Sequence, residues 1–191
     1  MRVALATGNR DKVTELRPMF PEVDLEVAPE GFDPEETGTT LFQNALIKAQ
    51  ALRAQVPSDT TVVADDSGLV VHSLGGRPGV FSSRYAGPDA TYEDNCRRLL
   101  EELDGSEARA AAFVCVLVGL RGADAMLVAS GVCAGHIGTA MRGTRGFGYD
   151  PVFVPEGQAR SMAEMTGEEK AAISHRGRAA RRLAGILGTG A

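Results

Sequence analysis

Two adjacent carboxylates lie between two runs of strand-forming aliphatic residues. The stretch Val62–Val71 reads VVADDSGLVV and has Asp65, Asp66 and Ser67 at its centre. The β-branched residues on either side predict two short buried strands, and charged groups are rarely buried without a partner. We therefore expect Asp65 and Asp66 to lie at the end of a strand, in a turn. There they either cap nearby backbone amides or bind a metal ion.

The rest of the chain alternates between strand and helix patterns. Arg2–Ala6 indicates a strand that leads through a glycine turn into a helix ending near Pro18, and Leu41–Ala54 has the apolar spacing of a helix. Further helices are predicted over residues 90–103 and near the C-terminus, and further strands over residues 111–120, 126–130 and 132–137. Arg121–Asp124 is a predicted hairpin turn. Since no repeat or linker is visible, we predict one α/β domain with a mixed sheet over residues 1–191.

Charge and apolar content exclude several classes of protein. Of 191 residues, 20 are Lys or Arg and 25 are Asp or Glu, and a net charge of −5 argues against binding to nucleic-acid polymers or anionic membranes. The longest apolar run, Ala110–Gly119, is about half the ~20 residues that cross a bilayer. Val3–Ala6 is too short for the apolar core of a secretory signal, so we expect a cytoplasmic protein. The three Cys and three His lack metal-binding spacing, and we expect neither structural zinc nor a disulfide framework.

A polar turn and an acidic loop are candidates for phosphate and metal binding. The turn between the first strand and helix contains Thr7, Gly8, Asn9 and Lys12, and a helix N-terminus with a nearby cation can hold phosphate. An ordinary capped turn explains the same residues. Glu35 and Glu36 provide carboxylates that suit Mg²⁺ together with Asp65 and Asp66. An exposed acidic loop is the alternative.

A glycine loop with aromatic residues and a basic segment are the other candidates. Phe147, Gly148, Tyr149 and Asp150 form a loop in which a ring can stack on a base and Asp150 or backbone amides can contact its edge. The alternative is a tight turn with Phe147 packed inward. Lys170, His175 and Arg176 form a basic segment that either contacts substrate or lines a solvated face.

The lysines are distributed unevenly for a chain with 17 Arg. The sequence has only three lysines, Lys12, Lys48 and Lys170, and each lies in or beside one of these segments. A compact ammonium suits contact with a phosphate oxygen better than a planar guanidinium does. Carboxylates for a metal, an amide-rich turn, an aromatic loop and local cations together indicate a binding site for a nucleoside triphosphate.

Taken in order, these segments resemble the HAM1-like inosine triphosphate pyrophosphatase family. The resemblance runs from residue 3 to about residue 185. It is carried by Thr7-Gly8-Asn9 with Lys12, Glu36-Thr37-Gly38 with Asn44-Ala45 and Lys48, Ala64–Leu69, Gly75-Gly76-x-Pro78-Gly79 with Ser83-Arg84-Tyr85, Gly146–Pro151, and Glu169-Lys170 with Ser174–Gly177.

The resemblance implies an activity, a fold and roles for the site residues. The activity is Mg²⁺-dependent hydrolysis of XTP, ITP and dITP to the monophosphate and pyrophosphate, in the cleansing of nucleotide pools. The fold is an elongated mixed sheet flanked by helices, with two lobes, a central cleft and a homodimeric assembly. Asp66 matches the proton acceptor and metal ligand, and Glu35 matches the second metal carboxylate.

Further matches concern substrate contacts. The family residues that contact phosphate or sugar match Thr7, Gly8, Asn9, Lys12 and Ser67. The family residues that recognise the base or contact the substrate nearby match Phe147, Gly148, Tyr149, Asp150, Lys170, His175 and Arg176. Donors from His175, Arg176 or the loop amides facing the 6-oxo group of hypoxanthine would disfavour the amine of adenine.

Two other functions remain open from the sequence. One is a pyrophosphatase for modified pyrimidine or methylated guanine nucleotides on a related fold. The other is a nucleotide-binding sensor without turnover, against which the intact Asp65, Asp66, Glu35 and Lys12 argue.

Overall fold

A computed structural model describes residues 1–122 and 124–188 and divides the chain into two compact units. The first unit contains Met1–Asp66, Cys115–Gly131 and the chain from His175 onward, and the second contains Ser67–Val114 and Val132–Ser174. Because the chain passes back and forth between the units, neither is a continuous segment.

The described strands form one mixed sheet, as predicted, and this sheet has six strands. They are β1 (Arg2–Leu5), β2 (Asp24–Val27), β3 (Thr61–Val71), β4 (Ala110–Arg121), β5 (Ala125–Ile137) and β6 (Phe153–Pro155), and their order in the sheet is β2-β1-β3-β4-β5-β6. Strand β1 pairs in parallel with β2 and β3, in a register that places Val3 beside Leu25 and Thr61. Strand β6 is antiparallel to β5.

Five α-helices are described, and their positions match the predicted ones closely. They are α1 (Arg10–Leu16), α2 (Leu41–Arg53), α3 (Tyr92–Glu102), α4 (Gly167–Ile173) and α5 (His175–Leu187). Helix α1 ends just before Pro18, and the predicted capping box of Thr166 and Glu169 opens α4. Both outcomes follow from local chemistry, since Pro18 has no amide hydrogen to continue the α-helical hydrogen bonds and a capping box satisfies exposed amides.

Each unit has its own hydrophobic core. In the first unit, Val3, Leu5 and Val63 pack with Leu183 and Leu187 of α5, while Ala45, Ala49 and Leu52 of α2 pack with Val62 and Ala64. In the second unit, Leu69 and Val71 pack with Leu99 of α3 and with Ile137 and Phe153. Strand β3 therefore contributes apolar side chains to both cores.

Two of the strand predictions had wrong boundaries, and one strand was missed. Strand β3 runs without interruption from Thr61 to Val71, so Asp65 and Asp66 lie within a strand and not in a turn at its end. The predicted strands 126–130 and 132–137 are one strand, β5. Strand β2 was not predicted, because four residues with two acids give a weak pattern. Ala123 of the predicted hairpin turn lies outside the described residues, although β4 and β5 on either side are neighbours in the sheet.

The most apolar segment of the chain is a sheet strand. Ala110–Gly119 forms most of β4, where Cys115, Leu117 and Val118 are fully buried. In the described ranges, no helix has both the length and the apolar content needed to cross a membrane.

Candidate functional site

Asp65 and Asp66 are buried side by side in β3, with 2% and 6% of their surface exposed. Consecutive residues of a strand point to opposite faces of the sheet. Val63 and Asp65 belong to the face that packs with α5, whereas Ala64 and Asp66 belong to the face that packs with α2. The two carboxylates therefore have different cationic partners, which makes it possible for both to be ionised within one strand.

Asp65 is held by cations from two helices. Its Oδ1 forms an ion pair with Lys12 of α1, and its Oδ2 accepts a hydrogen bond from Nε of Arg176 in α5 at 2.9 Å. The Cys115 thiol lies 3.6 Å from the same Oδ2. Arg176 also donates through Nη1 to Glu15 of α1. Alternating charges thus run from Glu15 through Arg176 and Asp65 to Lys12, all within the first unit.

Asp66 shares a lysine with Glu36. Nζ of Lys48 donates to Oδ1 of Asp66 at 2.7 Å and to Oε1 of Glu36 at 2.9 Å. Lys48 belongs to the polar face of α2, and this face is buried, since Asn44 one turn earlier has no exposed surface. The Oδ1 atom of Asn44 accepts a hydrogen bond from the Gly38 amide at 2.8 Å. Two hydrogen bonds, from Lys48 to Glu36 and from the Gly38 amide to Asn44, therefore join the acidic loop to α2.

The two aspartates have different proton affinities. Burial would raise the pKa of Asp65, but Lys12, Arg176 and Lys48 outweigh burial and hold that pKa well below its ordinary value. Burial raises the pKa of Asp66, and Lys48 only partly offsets the effect. The pKa of Lys48 is raised, because Asp66, Asp65 and Glu36 outweigh its own burial. Of the two carboxylates, Asp65 holds a proton less readily, and Asp66 is the better proton acceptor.

The charges around Asp66 suit a hard cation. Asp66 and Glu36 carry two negative charges against the single positive charge of Lys48, and their oxygens are ligands that Mg²⁺ accepts. Glu35, the other predicted metal carboxylate, has an exposed side chain. Among the described residues, no three His, Cys, Asp or Glu side chains are grouped so as to hold a metal ion. The residues fit an ion that takes its remaining ligands from phosphate and water.

The predicted phosphate turn is well ordered by its own side chains. Oδ1 of Asn9 accepts hydrogen bonds from the amides of Asp11 and Lys12 at 2.9 and 3.2 Å, and Oγ1 of Thr7 accepts one from the Asn9 amide at 3.1 Å. A Cβ atom at Gly8 would lie 2.9 Å from the carbonyl oxygen of Phe32, so a larger residue does not fit without movement. The Asn9 side chain thus accepts hydrogen bonds from two amides at the start of α1, where the sequence predicted phosphate binding.

In the second unit, the glycine loop is organised by a buried ion pair. Asp150 and Lys170 are 2% and 6% exposed and form an ion pair through Oδ2 of Asp150. The same oxygen accepts a hydrogen bond from the Phe147 amide at 2.9 Å, and Nζ of Lys170 lies 5.0 Å from the centre of the Phe147 ring. Gly146 has φ +71°, and a Cβ there would lie 2.0 Å from that oxygen. The loop therefore brings Phe147, Asp150 and Lys170 together.

Other predicted residues have core or framework positions. Tyr149 is 3% exposed, its hydroxyl donates to the Ser82 carbonyl at 2.9 Å, and burial raises its pKa. His175 and Arg176 are buried at the start of α5. Ser67 and Gly148 are half-buried.

The two units divide the predicted site residues between them. The first unit contains Thr7, Gly8, Asn9, Lys12, Glu35, Glu36, Lys48, Asp65, Asp66, His175 and Arg176. The second unit contains Ser67, Phe147, Gly148, Tyr149, Asp150 and Lys170. The sequence reasoning missed Glu15, whose only signal was its position one turn after Lys12 on α1.

Known proteins similar to this chain share one family. The model of the Ham1 family matches residues 3–186. A dITP/XTP pyrophosphatase of Methylococcus capsulatus is 47% identical over 194 residues, covering 97% of this chain and 96% of the relative. The dITP/XTP pyrophosphatase of Escherichia coli K12 is 44% identical, covering 99% of each chain.

Solved structures agree with the sequence relatives. The Ham1 protein of Staphylococcus aureus has a TM-score of 0.87 at 36% identity, and a HAM1 protein of Coxiella burnetii has a TM-score of 0.85 at 38% identity. In both comparisons, 98% of this chain and 98% of the other are covered.

Proposed function

The chain belongs to the Ham1 family, and we propose that it hydrolyses non-standard purine nucleoside triphosphates, XTP, ITP and dITP, to the monophosphate and pyrophosphate. Its role would be to cleanse the nucleotide pool of the cytoplasm. One observation carries the chemical part of the proposal: Asp66 and Glu36 converge on Lys48 and leave an excess of negative charge. Such a group can accept a proton and attract a divalent cation.

Asp66 is the proposed general base. In the reaction, the oxygen of a water molecule forms a bond to the α-phosphorus, the bond from that phosphorus to the bridging oxygen of pyrophosphate breaks, and the water proton passes to the Asp66 carboxylate. The raised pKa of Asp66 favours this transfer, and Lys48 orients the carboxylate through its 2.7 Å hydrogen bond. Asp65 is unsuited to this role, since its cationic partners lower its pKa and make it a weak proton acceptor.

Mg²⁺ is the proposed cofactor, held by Asp66 with Glu35 or Glu36. When bound, it supplies positive charge that offsets the charge developing on the phosphates. Among the chain's own residues, we assign Lys12 with Thr7, Gly8 and Asn9 to phosphate binding, and Ser67 to phosphate or sugar contact. Glu35 is the carboxylate that the family resemblance favours, whereas the structure brings Glu36 close to Asp66 through Lys48.

Base recognition is assigned to the glycine loop and its neighbours. Phe147 offers a ring for stacking, and its orientation is set by Asp150 and Lys170. Because Arg176 donates Nε and Nη1 to carboxylates, we assign its guanidinium to holding Asp65 and retain His175 as the candidate donor to the base. A donor that faces the 6-oxo group of hypoxanthine would face the amine of adenine, and this mismatch costs about 1–3 kcal/mol per contact.

A homodimer is proposed from the apolar face of β5. Met126 and Val128 lie two positions apart on this strand, within the first unit, and are 51% and 44% exposed. Apolar side chains exposed in a row along one strand face are typical of a surface that another chain covers. Light scattering during size-exclusion chromatography would show twice the mass of 20.1 kDa for a homodimer and the single mass for a monomer.

A turnover panel tests the proposed function. We would incubate the protein with dITP, XTP, dATP, dGTP, dCTP and dTTP with and without Mg²⁺, and detect pyrophosphate and orthophosphate separately. Pyrophosphate released from dITP and XTP well above the four standard nucleotides is the expected result. Orthophosphate as product, equal rates for all substrates, or binding without turnover would contradict the proposal.

A further inference from the structure

One face of α3 contacts the loop that carries Phe147. Tyr92 begins the helix, and its ring centre lies 5.7 Å from that of Phe147 at an interplanar angle of 46°. Four residues later, the thiol of Cys96 donates to the carbonyl oxygen of Gly148 at 3.3 Å. Residues four apart share one face of a helix. Consecutive residues of the loop are therefore held by consecutive turns of α3.

The position of Tyr92 is fixed by the start of its helix. Thr91 and Asp94 form a capping box, in which the Asp94 amide donates to Oγ1 of Thr91 at 3.1 Å and the Thr91 amide donates to Oδ2 of Asp94 at 3.0 Å. Further along α3, Leu99 is completely buried in the core of the second unit. The capping box and the buried Leu99 thus fix the start of α3 around Tyr92. The backbone of Tyr92 is therefore held in one position relative to Phe147.

The Phe147 ring is bordered by groups from two helices. Lys170 of α4 places its ammonium 5.0 Å from the ring centre, and Tyr92 of α3 provides the second contact. Tyr149 in the same loop is a core residue with 3% of its surface exposed, whereas Tyr92 keeps 43% exposed. Tyr92 therefore contacts the loop at its surface, next to the aromatic side chain proposed to meet the base.

We propose that Tyr92 is a positioning residue for base recognition, which orients the Phe147 ring so that it can stack on the purine. The proposal rests on the proposed function, since it assigns Phe147 to the base. Offset or tilted aromatic pairs stabilise one relative orientation of two rings. The role requires the ring of Tyr92 and not its hydroxyl.

Three substitutions at Tyr92 test the proposal in the full-length protein. We expect Tyr92→Ala and Tyr92→Leu to raise KM for dITP about three- to tenfold with kcat within about twofold of wild type, and Tyr92→Phe to match wild type. Glu93→Ala, which removes an adjacent exposed side chain on another face of α3, is the matched control and should leave KM unchanged. Thermal melting of each variant reports its folding.

A second experiment separates positioning from general support of the fold. If Tyr92 acts through Phe147, adding Tyr92→Ala to Phe147→Ala should change KM by less than about twofold, because the ring that Tyr92 orients is already gone. A full additional increase would overturn the proposal. So would unchanged KM in Tyr92→Ala and Tyr92→Leu, or melting of both far below wild type. If the wild-type protein released no pyrophosphate from dITP or XTP, the proposed function would fail instead.

Discussion

Removing one charge of the Asp150–Lys170 pair should destabilise the protein more than removing both. The two side chains are 2% and 7% exposed, so each substitution alone removes their ion pair and leaves the other charge buried without it. Breaking such a pair costs about 3–5 kcal/mol, whereas replacing both charges by neutral groups is often nearly neutral. We therefore expect Asp150→Asn and Lys170→Met each to cost about 3–5 kcal/mol, and the double variant to cost less than either.

The expected change in melting temperature follows from the size of the chain. For a protein of 191 residues, 1 kcal/mol corresponds to about 2–4 °C, so each single variant should melt roughly 6–20 °C below wild type. Differential scanning calorimetry of the wild type, both single variants and the double variant completes the cycle. Asn at position 150 keeps one oxygen that can accept from the Phe147 amide, so the loss in Asp150→Asn reports mainly the removal of the ion pair with Lys170.

An exposed ion pair that includes Glu169, the residue before Lys170 on α4, is the control. Arg160 and Glu169 are 2.8 Å apart, with 48% and 43% of their side chains exposed. Arg160→Met and Glu169→Gln make the same changes of charge in water, and both should melt close to wild type. Additive losses in the Asp150–Lys170 cycle, or equal losses in the buried and exposed pairs, would refute the reasoning.

Three further predictions concern catalysis, metal binding and acid. Asp66→Asn should lower kcat for dITP by about 10²–10⁴-fold, and near-normal turnover at saturating Mg²⁺ would exclude it as the base. Glu35→Gln and Glu36→Gln are compared by the Mg²⁺ concentration that gives half the maximal rate. The variant in which this concentration rises identifies the second metal carboxylate, and no change in either variant would exclude both residues. Glu169 has its pKa lowered from 4.5 to about 2 by hydrogen bonds from the Arg160 guanidinium and the Thr166 amide. Its contribution to stability is therefore present above pH 4.5 and lost as pH falls toward 2, so Glu169→Gln should lower the melting temperature slightly at pH 6 and not at pH 2. A difference that persisted at pH 2 would contradict this assignment.

Local patterns predicted much of the secondary structure. The helix stop before Pro18, the capping box of Thr166 and Glu169, and the apolar stripe of α5 depend on residues within a few positions of one another. The mixed sheet and α/β class followed from the alternation of these elements. The same local reasoning failed at β3, because two adjacent acids normally end a buried strand.

What the sequence by itself determined is therefore local structure, fold class and the set of reactive residues. Only the tertiary structure decided how the acids in β3 differ, because their partners are distant in the chain: Arg176 reaches Asp65 across 111 positions and Glu15 across 161. Asp65 and Asp66 are identical side chains one residue apart. The alternation of a strand turns one toward Lys12 and Arg176 and the other toward Lys48, and this difference in surroundings sets which carboxylate stays ionised and which can accept a proton.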